Sequence, residues 1–267
     1  LAGLKAFGDG PLGARRTELA LAPVVDLGEL EVPAERYPVT VLLSQKGWAR
    51  ALRGHHQDRA EVKYKEGDAE RFVLEAQSSD KVLLLTSDGR CYLVPIDKLP
   101  SGRGQGEPIG LTVDLAKGVE IVDLRVHRPE GRLILATRQG RGFVAAEQEI
   151  AAQTKAGKQV VNLAEGDALG VVAPVEGDLV AVLGTNRKLL LFPVSELPEM
   201  ARGRGVILQR YKDAALADLK TLRREDGLVW QAGERTRREA DLTPWIGERG
   251  QVGRNPPTGF PRTNRLG

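Results

Sequence analysis

The chain is 267 residues long, 41% hydrophobic and 28% charged, the balance of a folded domain rather than of a disordered chain. No run approaches the ~18 apolar residues of a membrane helix, the start has no signal-peptide layout, and the single cysteine, Cys91, excludes an internal disulfide framework and suits a reducing cytoplasm. Residues 201–267 hold 14 Lys/Arg against 8 Asp/Glu, so the net charge of +3 conceals a basic C-terminal quarter that points to a phosphate-bearing partner.

Residues 18–37 carry Glu18, Asp26, Glu29, Glu31 and Glu35 against Arg36 and read as an acidic linker, either a plain tether or a segment that competes for a basic surface. From residue 38 onward the chain repeats. The segments VLLSQKGWARAL (41–52), LLLTSDGRCYLVPIDKLP (83–100), LILATRQGRGFVAA (133–146), AVLGTNRKLLLFPVSELP (181–198) and LVWQAGERTRREADL (228–242) each run apolar, then polar, then apolar or charged again. The second and fourth align without a gap at an offset of 98, with identical pairs at Leu93/Leu191, Pro95/Pro193, Leu99/Leu197 and Pro100/Pro198. Their centres at Gly47, Gly89, Gly140, Arg187 and Gly233 predict tight hairpin turns. A unit of roughly 45 residues with four short strands is the sequence form of a propeller blade, which cannot bury both faces alone. Five units predict an all-β, five-bladed assembly, and the WD dipeptide of WD40 propellers is missing from every copy.

After each of the later four turns comes a loop of glycine and basic residues: SGRGQG (101–106), TKAGKQ (154–159), ARGRG (201–205) and GERGQVG (247–253). The first copy has only a basic segment, RAEVKYK (59–65). The first loop, extended as LPSGRGQGEPIG, looks like a phosphate loop, but it lacks the Walker lysine, and Glu107 stands where a dinucleotide fingerprint needs its third glycine. Basic glycine loops repeated once per blade suit duplex DNA instead: arginine forks to phosphate, glycine lets the backbone approach, and no base-reading helix is required. Binding of this kind follows DNA shape and bending rather than base sequence.

The ordered series PVTVLLSQKGWARALRGH, LPSGRGQGEP, AGKQVVNLAEGD, LLLFPVSELP and GERG resembles the C-terminal domain of the A subunit of bacterial topoisomerase IV, the ParC-type subunit. The resemblance covers residues 38–267. LKAFGDGPLGARRTEL is similar to the end of the preceding breakage-reunion domain, which makes residues 1–17 its remnant. It implies a β-pinwheel, a propeller relative whose neighbouring blades exchange strands, with a basic rim that binds and bends duplex DNA. It also implies a type IIA topoisomerase that selects among supercoiled and catenated substrates. The partners it implies are double-stranded DNA, the catalytic core of the same polypeptide, and the topoisomerase IV B subunit. No membrane is involved. The Q-R-R-G-G-K-G box of the related gyrase A subunit is absent, which favours topoisomerase IV over a DNA-wrapping gyrase domain. A propeller used for protein-protein contact is the alternative from another class.

The candidate DNA contacts are Arg103, Lys155, Lys158, Arg202, Arg204, Arg249 and Arg254 in the loops. To these are added Lys46, Arg50, Arg90, Arg141, Arg187, Lys188 and Arg235 at the hairpins, and Arg59, Lys63 and Lys65 in the first basic segment. His55, His56 and Asp58 do not read as a metal site, because adjacent residues on an extended chain point opposite ways. Cys91 reads as a packing residue, and Trp48, Phe192, Trp230 and Trp245 as core. Tyr37, Tyr64, Tyr92 and Tyr211 do not match the family's cleavage tyrosine, so this domain is not an enzyme by itself and needs no cofactor. Mg²⁺ and ATP belong elsewhere in the parent enzyme.

Overall fold

Apolar alternation with turn residues at the predicted centres folds as hairpins, and each of the first four hairpins is completed by strands that arrive later in the chain. The computed structural model describes residues 36–56, 62–101 and 104–267, which form one compact unit; residues 1–35, 57–61 and 102–103 lie outside the description, and with them Arg59, Arg103, Asp58 and all but Arg36 and Tyr37 of the linker. Strands β1 (Pro38–Ser44) and β2 (Trp48–Arg53) form the first hairpin, and β3 (Glu70–Gln77) returns along β1. The second hairpin is β4 (Lys81–Thr86) and β5 (Arg90–Pro95). The chain then crosses back as β6 (Glu107–Pro108) to pair with β2 before β7 (Ile121–Val126) returns along β4.

The next two units repeat that path. Strands β8 (Arg132–Thr137) and β9 (Arg141–Ala146) are followed by β10 (Lys158–Gln159), which pairs back with β5, and by β11 (Leu169–Pro174), which returns along β8. Strands β12 (Leu179–Gly184) and β13 (Leu189–Pro193) are followed by β14 (Val206–Ile207), which pairs back with β9, and by β15 (Leu216–Leu222), which returns along β12. The fifth hairpin is β16 (Leu228–Ala232) and β17 (Arg235–Glu239), after which Arg254 bridges back to Leu189. Five antiparallel sheets result, and the strand exchange is that of a pinwheel.

Four strands per blade is met by three sheets. The fourth has three strands plus single-residue bridges from Ile246 and Arg254, and the fifth is the β16–β17 hairpin alone. Chemistry accounts for the last: β17 is four exposed residues, Arg-Thr-Arg-Arg, and a partly exposed glutamate, which suits an edge strand facing water. In place of a returning strand, the segment after residue 254 folds back. Phe260 and Leu266 are buried beside Leu228 and Trp230, the Phe260 ring 5.6 Å from that of Trp230.

Strands β4, β8 and β12 are buried almost throughout because each has apolar residues on both faces. Val82 and Leu84 meet Val41 and Leu43 of the first sheet, while Leu83 and Leu85 meet Leu133 and Leu135 of the third. Ile134 and Ala136 meet Val180 and Val182, and Leu179, Ala181 and Leu183 meet Leu228 and Trp230. Four apolar layers thus join five sheets in chain order. Each buried aliphatic side chain contributes about 1.5–3 kcal/mol, and these layers form only where a blade has its neighbour.

The crossings between sheets depend on glycine. At Gly205 φ is +72°, and a Cβ there would lie 2.4 Å from the Gly142 carbonyl oxygen; at Gly106, with φ +83°, it would lie 2.4 Å from that of Ala49. Gly157 and Gly253 hold the equivalent positions. Gly205→Ala is therefore expected to cost about 1–3 kcal/mol more in urea denaturation than Gly166→Ala. Gly166 also has positive φ, +71°, but nothing within 4 Å of its would-be Cβ. Equal losses would mean that the crossing has slack.

Cys91 sits fully buried between the second and third sheets, and burial, reinforced by the charges of Glu147 and Asp123, pushes its thiol up to about 12. The native protein at pH 8 should leave a disulfide reagent unreacted, and one thiol should titrate after denaturation. Rapid native labelling would contradict this packing.

Candidate nucleic-acid interface

Within each sheet the order of strands sorts the chain by position. Strands β3, β7, β11 and β15 occupy one edge of their sheets and touch in succession, so they line the inside of the array. The short returning strands β6, β10 and β14 occupy the opposite edge, which is the rim. The glycine-basic loops lead directly into those outer strands. Strand exchange is therefore what carries the repeated charges to the rim, at one fixed place per blade.

Register along the rim is kept by a recurring bond. Three residues after the crossing glycine, the backbone N–H of Ile109, Val160 and Leu208 donates to the carbonyl of Gly47, Gly89 and Gly140 of the preceding hairpin, at 2.9, 2.9 and 2.7 Å. The loops then touch each other. Asp114, Asn162 and Arg210 donate their N–H to the carbonyls of Lys155, Gly203 and Gln251 in the following loop.

The predicted residues fall into three groups. Lys155, Arg202, Arg204 and Arg254 are exposed on the loops, as are Lys46 and Arg235 at hairpin turns and Lys63 in the first segment. Among the described residues no side-chain hydrogen bond or ion pair holds Lys63, Lys155, Arg204, Arg235 or Arg254. Arg202 donates from Nε to Asn162 Oδ1 at 3.1 Å, and Lys46 from Nζ to the Glu66 carbonyl at 3.1 Å.

The second group braces the loops. Arg90, Arg141 and Lys188 each follow the positive-φ residue of a hairpin turn, and each reaches the neighbouring loop. Arg90 Nη1 donates to the Ala156 carbonyl at 2.9 Å, Arg141 Nη1 to the Gly205 carbonyl at 3.2 Å, and Lys188 Nζ to Asn255 Oδ1 at 2.8 Å. Lys158 Nζ reaches the Glu149 carbonyl and Arg249 Nη1 the Ile207 carbonyl. All five are half-buried. Neutral acceptors orient these cations without cancelling their charge, so they still add to the positive potential of the rim; of the five only Arg90 forms a side-chain ion pair, with Asp88 at 3.6 Å, while the backbone N–H of Arg249 donates to Glu196 Oε2 at 2.9 Å.

The third group is placed differently from expectation. Arg50 is 5% exposed, with its guanidinium bonded to the carbonyls of Gly104 and Lys63 and 5.5 Å from the Tyr64 ring, so it serves the packing of the first blade. Arg187 takes the left-handed conformation where the other turns have glycine, φ 60°, and clamps the C-terminal segment through the carbonyls of Phe260 and Pro261 and through Asn264 Oδ1. Lys65 holds its ammonium 3.3 Å above the Trp48 ring, and Trp48 is half-buried rather than core. Phe192 and Trp230 are core, and Trp245 packs at its margin.

Sequence reasoning passed over Arg210, which is exposed on the rim with its backbone tied to the last loop. Its signal was its distance from Gly205, the same as that of Asn162 from Gly157. His55 and His56 engage backbone carbonyls, those of Ala76 and Arg53, His127 meets the Glu147 carboxylate at 3.1 Å, and no cluster able to hold a metal ion occurs among the described residues.

Known proteins share this architecture. The family model described as DNA gyrase C-terminal domain, beta-propeller, matches residues 80–128, 131–173 and 178–220, about half of the chain, each match opening at the hairpin of the second, third or fourth sheet. The A subunit of DNA topoisomerase 4 from Rickettsia bellii is 42% identical over 256 residues, which are 96% of this chain and 35% of that protein. Its counterpart from Caulobacter vibrioides is 40% identical over 253 residues, 94% of this chain and 33% of that protein. The chain thus spans about a third of the length of the curated relatives it matches. The solved structure of the E. coli ParC C-terminal domain superposes with a TM-score of 0.74 at 30% identity, covering 85% of this chain and 96% of that one. The chain belongs to the family of DNA gyrase C-terminal domain beta-propellers, and within it is a C-terminal domain of the topoisomerase IV A subunit, ParC type.

Proposed function

We propose that this domain binds and bends duplex DNA along its outer rim and so selects among supercoiled and catenated substrates for a type IIA topoisomerase. The observation that carries the reading is the placement of Lys155, Arg202, Arg204 and Arg254, exposed on loops that strand exchange brings to equivalent points of successive sheets. Such a row of cations follows a phosphate backbone without reading bases. Beneath it, Arg141, Lys158, Lys188 and Arg249 hold the loops and add field. Arg50 is left out of this surface, because its donors are spent inside the first blade.

In this reading the domain performs no chemistry. DNA cleavage, Mg²⁺ and ATP belong to the B subunit or to the remainder of the same polypeptide, which receive the bent duplex from it. The domain bends linear DNA without a full wrap of fixed hand, since the gyrase box is absent. Nicked circles ligated with the bound domain should show little linking-number change, and a shift of gyrase size would defeat this part.

Changing both Arg202 and Arg204 to Glu should flatten the slope of log K against log salt by about 1.8, as two phosphates lose their partners. Affinity should drop further than for the matching Ala pair, and equally for any duplex sequence. Both side chains are exposed, so stability should stay within about 0.5 kcal/mol of wild type. A folded double variant with unchanged slope and affinity would remove this blade from the interface.

A further inference from the structure

The rim is not uniform, and its departure lies between the first two loops. From the residue that bonds the hairpin glycine to the residue that bonds the next loop, the chain advances two positions at Val160–Asn162 and at Leu208–Arg210, but five at Ile109–Asp114. The three additional residues are accommodated by a single 3-10 turn, Ile109–Leu111, closed by the Thr112 and Val113 amides donating to the Ile109 carbonyl. Ile109 is buried under the first sheet while Leu111, at the outer end of the turn, is 63% exposed. That is the highest exposure of any large apolar side chain among the described residues.

The surroundings of Leu111 limit what it can meet. The exposed residues that flank it in the chain include Glu107, Pro108, Gly110, Asp114, Ala116 and Lys117, none a large apolar side chain, so its own segment builds no patch of the size that a protein partner needs. The acidic Glu107 and Asp114 offer phosphates nothing. Yet the turn is fixed on the rim between two DNA-facing loops, with Gly106 on one side and the Lys155 carbonyl bonded to Asp114 on the other. A lone aliphatic side chain held forward on a basic rim suits insertion at a base step from the minor groove, the use that also bends the duplex.

We propose that Leu111 is an apolar wedge that enters a base step of the bound duplex, partly unstacks it and places the kink of the bend at the first blade. The inference rests on the DNA-binding reading of the rim. It adds that the flexible pyrimidine–purine steps, which unstack at least cost, are favoured at this point, a preference phosphate contacts cannot create.

The test uses the whole chain with a duplex of about 30 base pairs, labelled at both ends for energy transfer and carrying 2-aminopurine at a central T·A step. Wild type should bind with steep salt dependence, raise the 2-aminopurine fluorescence and shorten the end-to-end distance. Leu111→Ser should keep the salt slope and the melting temperature, lose most of the fluorescence rise and at least about half of the distance change, and bind T·A-centred and G·C-centred duplexes alike. Leu111→Met should restore unstacking. A Leu111→Ser variant that unstacks and bends as wild type does overturns the wedge and leaves the rim reading intact. Wild type that shows no salt-dependent duplex binding overturns the rim reading, and the wedge with it.

Discussion

Everything on the rim depends on four close crossings of backbone over backbone. Where a loop passes from one blade to complete the sheet of the previous one, its glycine lies against a main-chain carbonyl with no room for a side chain, as Gly205 does on Gly142 and Gly253 on Leu189, where a Cβ would stand 2.4 and 2.5 Å away. The crossing fixes the loop in two respects. At the first three it sets the register of the outer strand, since the amide three residues on then meets the hairpin glycine, and at each it sets where the loop leaves the sheet. The cations at 155, 204 and 254 are thus carried by backbone geometry rather than by their own contacts, and Arg202 adds one neutral bond, to Asn162 Oδ1. A surface that must present charge without neutralising it needs that arrangement, because a side chain free of partners cannot locate itself.

The same crossings divide the basic residues between two tasks. A cation that follows the turn, such as Arg141, lies within reach of the crossing loop and donates to its carbonyl; one that precedes the crossing, such as Arg204, has only solvent before it. Carbonyl acceptors suit the first task better than carboxylates would. They orient the guanidinium and leave its charge whole, whereas an ion pair would remove it from the long-range field. The single departure, Arg90 beside Asp88, is also the hairpin where Thr86 Oγ1 donates to Asp88 Oδ1 at 2.6 Å, so that carboxylate is already committed to shaping the turn.

The five hairpins and the all-β class were legible because their signals are local: apolar residues on alternate or consecutive positions, and a turn residue able to take positive φ. Three of the misplacements have causes at a distance. Alternation puts Ala49 and Ala51 on the core face of β2 and Arg50 on the other, but that this second face is covered follows from Lys63 and Tyr64, which no period of the sequence ties to it. Arg187 adopts a conformation favoured by glycine because partners 73 to 77 residues onward hold it there. Trp48 looked like core from its place in a strand, yet it begins the strand next to the turn, where Lys65 rather than a neighbouring blade covers its ring. The exchange of strands came from the resemblance alone, since a two-residue strand such as β10 or β14 is too short to show any pattern.

The unequal ends of the array follow from exchange as well. Each unit donates one strand backward, so the segment after the first hairpin has no earlier sheet among the described residues to cross, and its lack of glycine is what that freedom permits. It turns instead onto its own blade, and in doing so takes up the charge of Arg50 and covers Trp48 with Lys65. At the other end, the fifth hairpin receives no strand, and its apolar face is closed by Phe260 and Leu266, held through Arg187 and by the Leu266 amide on Asp218 at 2.7 Å. Both ends therefore spend cations on closure: Arg50 at the first blade and Arg187 at the fourth. The interior crossings keep Lys155, Arg204 and Arg254 free on their loops, where the sheet that receives the loop has a neighbour on both sides and the backbone does the positioning.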